Sequence, residues 1–241
     1  MNKLFITPYN MGSESARDLA RALGCLRVKA EKKIYRAHII NWGRSDLVVH
    51  GAYNRIINNP HAVGLAANKL ATFQTLQRAG VPTVEWTQDS NMVKQWLNED
   101  NLVYARTNTS GSGGDGIIIV GMDDLHLPSA RLYTKGFIKT HEYRVHVAFG
   151  EVIDFSKKRK RDGAECNPHI KNYDNGWVFC RDGVALPDKV KHACINAIRA
   201  LGLDFGAIDI LYKEKTNEAK VLEVNTAPGI VTGKQIGRAH V

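Results

Sequence analysis

The sequence predicts a mixed α/β protein, α+β in its wiring, and three observations carry that prediction. The N-terminus reads as strand, helix, strand: KLFIT at residues 3–7, SESARDLARAL ended by Gly24, then DLVVHG at 46–51. The middle holds a helical region opened by Asn59-Pro60, running through AANKLATFQTLQRAG and stopped by Gly80 and Pro82, which is the Pro-in, Gly-out asymmetry of helix ends. From Arg131 onward strands dominate.

The elements follow in order. After Pro82, TVEWT suits a strand and SNMVKQWL a helix. LVYART and GIIIV flank a glycine-rich tip and read as two strands of a hairpin, because β-branched residues favour the pleat. In EYRVHVAF the side chains alternate, which sets Glu142, Arg144 and His146 on a polar face and Tyr143, Val145 and Val147 on a core face. Gly150-Glu151 is a turn into VIDFSKKRKR, the partner strand. Pro187 and Asp188 open the helix DKVKHACINAIRAL, stopped by Gly202, and the strands GAIDILY and KVLEVN follow, joined by the turn KEKTNEA.

Composition narrows the function classes. A chain of 241 residues, 44% hydrophobic, can bury one large core or a few modest ones, and it has no apolar run long enough to span a bilayer. No leader is readable at Met1, so the expected location is the cytoplasm, with no membrane partner. Cys25, Cys166, Cys180 and Cys194 are scattered without C-x-x-C spacing, which argues against zinc and against a disulfide framework. The net charge of +9 and pI near 9.4 favour anionic partners such as ATP, nucleic acid or an acidic substrate.

The tip RTNTSGSGGDGIIIV fits G-x-G-x-x-G at Gly111, Gly113 and Gly116, but it runs from strand into strand. Dinucleotide and Walker loops run into a helix, whose N-terminus meets the phosphate, so neither applies. A hairpin tip of this kind is either a flap over nucleotide phosphates or a plain mobile turn, and the segment alone leaves both open. The basic run Lys157 to Arg161 likewise reads as a solvated face, a nucleic-acid patch or a phosphate clamp. The terminal hairpin carries the sharpest chemistry. Glu223 and Asn225 share a strand face and the hairpin returns Asp209 close to them, which assembles hard oxygen ligands suited to Mg²⁺. The alternative is an exposed hairpin with incidental acids. An acid within the apolar strand LEVN calls for a partner, which favours the metal. Asp204-Phe205-Gly206 imitates a kinase motif, yet no H-R-D precedes it, so it is expected to be a decoy.

Taken together, ANK, ART, SGSGGDGI, HEYRVHV, KNYDNGWVF, GAIDIL and EVNTAPG occur in an order that resembles the ATP-grasp superfamily, specifically ribosomal-protein glutamate ligases and phage-encoded relatives. The resemblance covers Asn68 to Gly229. It implies three subdomains with ATP held between two α/β layers, here a pre-ATP-grasp unit at 1–58, a small subdomain with the flap at 59–132 and a catalytic subdomain at 133–235. It implies an ATP-dependent carboxylate–amine ligase using ATP and Mg²⁺, or Mn²⁺, with an acyl phosphate as intermediate. The carboxylate and amine stay unnamed; an amino acid with an anionic or nucleic-acid-linked acceptor fits the charge.

Position by position, the resemblance implies ATP contacts at Lys69, at Arg106 where relatives place a lysine, and in the flap at Ser110, Gly111, Ser112, Gly113, Gly114 and Gly116. It implies an adenine hinge at Lys135, Gly136, Phe137 and Ile138, a ribose acid at Glu142, and triphosphate contacts at Lys171 and Asn172. Arg144 and Lys158 are the implied catalytic cations, and Asp209, Glu223 and Asn225 the implied metal ligands. His141, His146 and His169 receive no role. Two other classes stay open beside the ligase: a kinase-type phosphotransferase using the same cleft, and a basic nucleic-acid-binding module. Residues 236–241, IGRAHV, match one reading frame of a widely used sequencing adapter and are expected to be an artefactual tail on a truncated C-terminus. Host cytoplasm is the expected location if the chain is phage-encoded.

Overall fold

The computed structural model describes residues 3–110, 116–124, 126–167 and 175–230. The N-terminal sheet is wholly parallel, with strands β1 (Lys3–Pro8), β2 (Leu26–Arg27), β3 (Ala37–Trp42) and β4 (Arg55–Ile57) in the order β2-β1-β3-β4. Helix α1 (Glu14–Ala22), capped by the Ser13 hydroxyl, lays Ala16 and Ala20 on Ile6, Ile40 and Trp42. The opposite face packs Val28, Ile34, Ala37 and Ile39.

The expected strand at 46–51 is not formed. That segment is a loop with Val48 exposed at 62%, and the strand is instead AHIINW, whose residues are buried on both faces. A parallel strand covered on both sides reads as a continuous apolar run rather than an alternation.

The helical region is two helices rather than one: α2 (Pro60–Ala67) and α3 (Lys69–Arg78). Asn68 stands between them in extended conformation and its side-chain oxygen accepts from the Leu70 and Ala71 amides, so the break is itself an N-cap. The second sheet has the order β5-β8-β6-β7, built from β5 (Trp86–Thr87), β6 (Val103–Arg106), β7 (Ile117–Val120) and β8 (Leu132–Lys135), all antiparallel. Only Trp86 and Thr87 of the expected TVEWT strand join it. Helix α4 (Ser90–Asn98) covers one face, packing Val93 and Trp96 on Val103, Ala105, Val120 and Tyr133.

The third sheet is the largest, with the order β11-β10-β9-β12-β13. It comprises β9 (His141–Ala148), β10 (Glu151–Lys160), β11 (Trp177–Cys180), β12 (Phe205–Lys213) and β13 (Glu218–Asn225), all antiparallel. Helix α5 (Asp188–Ala200), with α2 and Leu76 of α3, covers its back, where Tyr143, Val145, Val147, Ile208 and Ile210 form the main core. The front faces the second sheet. Phe73, Val84, Leu132 and Leu211, with Phe137 and Leu222 against them, close one end of that interface with apolar contacts.

The kinase-like Asp204-Phe205-Gly206 ties the first sheet to the third. The Asn58 amide N–H donates to Asp204 Oδ2 at 2.6 Å, Asn58 Oδ1 accepts from the Asp204 and Phe205 amides, and Phe205 stacks on Trp42 at 5.2 Å. Its role is joinery, in keeping with a decoy.

Candidate active site

Register builds the site. Directly paired residues of an antiparallel ladder present their side chains on one face, so the front of the third sheet can be read in rows. One row is Asn225, Ala207, His146 and Asp154; the next is Glu223, Asp209, Arg144 and Ser156. The third brings Lys220, Leu211 and Glu142 into line, with Lys158 reaching across to Glu142. Asp209 lies directly opposite Glu223, which settles the register that sequence left open. A bulge follows at once: Ile210 pairs with Val221, which leaves Leu222 unpaired.

The face that the alternation of β9 marks as polar is not solvated. Glu142 and His146 are buried as deeply as the core, and Arg144 is half-buried. Burying charge requires partners, and each is supplied. Arg144 Nε and a terminal nitrogen donate to the two oxygens of Asp209, both at 2.7 Å. Lys158 Nζ donates to Glu142 Oε1 at 2.5 Å, and Lys139 Nζ stands 3.3 Å from Oε2. The Phe179 ring packs under both cations, 4.5 Å from the Arg144 guanidinium carbon and 5.4 Å from Lys158 Nζ. Burial pushes the Asp209 carboxyl up, but Arg144, with Lys158 and His146 behind it, more than reverses this and holds it below the ordinary carboxylate range. The basic run divides along the pleat: Lys158 faces the site, whereas Lys157 pairs across the ladder with Tyr143 and Arg159 reaches the Asp182 carbonyl.

Across the cleft, β6 sends Tyr104 and Arg106 toward the third sheet and Val103 and Ala105 toward α4. Arg106 is buried, and its Nε is one of two buried side-chain nitrogen or oxygen atoms without a hydrogen-bond partner among the described residues. Burial lowers its pKa, while the Glu223 carboxylate works the other way. Lys69 opens α3; its Nζ is 3.3 Å from Glu223 Oε1 with only 12% of the side chain exposed, so it is no solvated helix lysine. The Lys69 amide also donates to the Thr109 carbonyl at 2.9 Å, fastening the base of the glycine hairpin to the helix.

The hairpin pairs as expected, Arg106 opposite Ile117, and the Gly116 carbonyl accepts from the Thr107 amide and hydroxyl. Gly116 has φ +69°, and a Cβ there would meet Thr107 Oγ1 at 2.9 Å. The Ser110 amide donates to Asn108 Oδ1. Gly111, Ser112, Gly113, Gly114, Lys171 and Asn172 lie outside the described residues, as does the tail at 236–241.

The expected adenine hinge runs from the end of β8. Lys135 alternates onto the α4 face of β8, where its Nζ stands 3.3 Å from Glu99 and over the Trp96 ring, so its side chain is turned from the cleft. The Lys135 and Gly136 amides donate to the Glu85 and Leu102 carbonyls, Phe137 packs on the Phe73–Leu132 cluster, and Ile138 is exposed.

Asp209, Glu223 and Asn225 bring two carboxylates and one amide oxygen to a single face. Among the described residues no group of three or more His, Cys, Asp or Glu comes together as a metal-holding set, and both carboxylates are held by cations. The donor types and the directly opposed carboxylates fit a hard divalent ion. His146, which the alternation of β9 sets on this face but to which the sequence gives no role, stands in the first row between Ala207 and Asp154.

No protein-family model matches the sequence, and no curated protein matches it. Solved structures do. The ATP-grasp ligase PsnB complexed with a phosphomimetic variant of its minimal precursor, Mg and ADP shares 15% identity over 98% of this chain and 94% of its own, with a TM-score of 0.69. D-alanine–D-alanine ligase from Bacillus anthracis shares 16% over 96% and 88%, at 0.66. A RiPP-associated ATP-grasp ligase from Chryseobacterium gregarium, in complex with ADP and a leader and core peptide, shares 13% over 95% and 90%, at 0.62. The fold is therefore the mixed α/β fold of ATP-grasp ligases. No helix is long and apolar enough to cross a membrane among the described residues.

Proposed function

We propose that, on this ATP-grasp fold, the chain joins a carboxylate to an amine at the expense of ATP, through an acyl phosphate. The observation that supports this is the frame of four cations, Lys69, Arg106, Arg144 and Lys158, interleaved with Glu142, Asp209 and Glu223 between two sheets. Cations already fixed by carboxylates suit a reaction in which negative charge passes from phosphate to acyl group, because they need little reorganisation as it moves. In this reading a carboxylate oxygen attacks the γ-phosphorus and ADP leaves; the amine nitrogen then attacks the acyl carbon, loses a proton, and phosphate leaves.

The chain's own residues take these parts. Lys69 and Arg106 bind phosphate oxygens. Arg144 and Lys158 hold the transferred phosphoryl group and the tetrahedral centre that follows. Glu142 receives the ribose, the main chain of residues 136–138 lies along the adenine, and the glycine hairpin covers the phosphates. Asp209, Glu223 and Asn225 would hold Mg²⁺, or Mn²⁺, which when bound neutralises charge on the phosphates. The resemblance to ribosomal-protein glutamate ligases, and the precursor peptides named with PsnB, support an amino acid or peptide as a substrate, with glutamate the first candidate to test.

The test incubates purified protein with ATP, Mg²⁺ and an amino-acid and peptide panel, with mass spectrometry of the products. An amide with ADP and free phosphate is expected. A stable phosphoester instead would make the chain a kinase-type phosphotransferase; salt-sensitive DNA or RNA binding indifferent to ATP would make it a nucleic-acid module.

A further inference from the structure

The N-terminal sheet has a topological switch point. From β1 the chain passes through α1 to β2 on one side, then crosses to β3 on the other. In open parallel sheets ligands bind at the carboxyl ends of the two strands where the order reverses. Here those ends are Pro8 and Trp42, paired in register, with the Tyr9 amide donating to the Trp42 carbonyl.

The loop after β3 is built rather than slack. The fully buried Asn41 side chain accepts from the Arg44 amide at 3.0 Å and donates to the carbonyls of Arg44 and Asn58 at 2.9 and 3.0 Å. Gly43, at φ +81°, lies so close to its neighbours that a Cβ would stand 2.7 Å from Ala227 Cβ and 3.3 Å from the Tyr9 ring. Ala227 lies two residues beyond Asn225, so this loop abuts the strand end that carries the site's acids. On it stands Arg44. The guanidinium is largely covered; among the described residues its one ion pair is to Asp46, itself 71% exposed, and its Nε is the second buried atom without a hydrogen-bond partner.

We propose that this crevice is the substrate side of the site and that Arg44 grips a carboxylate of the molecule being ligated. The ligase reading supplies what that molecule is for; the crevice itself is read from the first sheet and its contact with Ala227. A guanidinium whose carboxylate partner, Asp46, faces solvent can exchange that partner for a ligand's carboxylate, which it takes in bidentate geometry once the side chain turns. That carboxylate has two sources: a second acid group on the donor, or the α-carboxylate of an amino-acid acceptor.

Calorimetric titration separates them. Glutarate and glycine, with glutaramide and glycinamide as controls that lack the carboxylate, are titrated into wild type, Arg44→Gln and Arg44→Lys, each with and without Mg·AMPPNP. At least one of the two carboxylates binds wild type while its amide does not. Arg44→Gln weakens that binding at least tenfold, Arg44→Lys weakens it less, and the melting temperature stays within a few degrees. Glutarate alone binding points to the donor, glycine alone to the acceptor. Carboxylate binding that is absent in wild type, matched by the amide, or within twofold in Arg44→Gln overturns the proposal. A failure of AMPPNP to bind wild type would tell against the nucleotide reading only, since the nucleotide-free titrations decide the Arg44 question by themselves.

Discussion

Arg144 and Asp209 face each other across adjacent strands and share two parallel hydrogen bonds of 2.7 Å, at the centre of a row that begins at Glu223. The pair does two things. It allows a carboxylate to stand ionised inside the sheet, and in the proposed reaction it fixes the guanidinium that meets the phosphoryl group.

Asp209→Asn is therefore expected to destabilise the fold by about 3–5 kcal/mol at neutral pH, the cost of leaving one partner of a buried ion pair alone. Because the folded-state pKa of Asp209 is depressed, the pair's contribution is complete above the unfolded value of about 4 and is lost as pH falls through the folded one. Urea melts of wild type and variant should converge below that window. A gap that stays constant on acidification would show that the pair is not ionised.

Glu223→Ala should separate chemistry from folding. The side chain is partly exposed and pairs with Lys69, so its loss leaves the core intact while removing a hard oxygen donor and the counter-charge of Lys69 and Arg106. Turnover is expected to fall at least about 100-fold, on the scale of a lost electrostatic contact at the reacting group, with the melting temperature little changed. Near-normal turnover at ordinary Mg²⁺ would remove Glu223 from the metal set.

At the foot of the glycine hairpin, Gly116→Val combines a left-handed backbone, at about 1–2 kcal/mol for a residue with a Cβ, with a steric conflict at Thr107 and Asn108. A phosphate flap makes this a defect in ATP use, read as a raised KM for ATP beyond any loss of stability. A plain turn leaves KM untouched.

Asp204→Ala should lower stability by about 1–3 kcal/mol, because the Asn58 amide loses its acceptor. Thermal melts report the loss. A variant as stable as wild type would contradict the assigned joinery.

Much of this was legible in the sequence, and the misses have physical causes. The alternation in EYRVHVAF identifies the two faces of β9, but periodicity cannot say that a polar face lies beneath a second sheet. DLVVHG resembles a strand more than its surroundings do, yet AHIINW takes the place because a strand covered on both faces shows no alternation. The shared face of Asp209 and Glu223 depends on a bulge at Leu222 that leaves no mark in composition. Arg44 carries no motif at all; the loop that holds it is set by Asn41 and, through Gly43, by Ala227, contacts that topology creates.

Hydroxylamine tests whether a carboxylate is phosphorylated between the two sheets, without knowledge of the natural acceptor. Purified protein is given ATP, Mg²⁺, hydroxylamine and a carboxylate panel led by glutamate and acidic peptides, and hydroxamate and ADP are measured together. The account predicts hydroxamate formed in step with ADP for at least one carboxylate, absent without ATP and lost in Glu223→Ala. ADP formed without hydroxamate across the panel, or a phosphoester in its place, would contradict it.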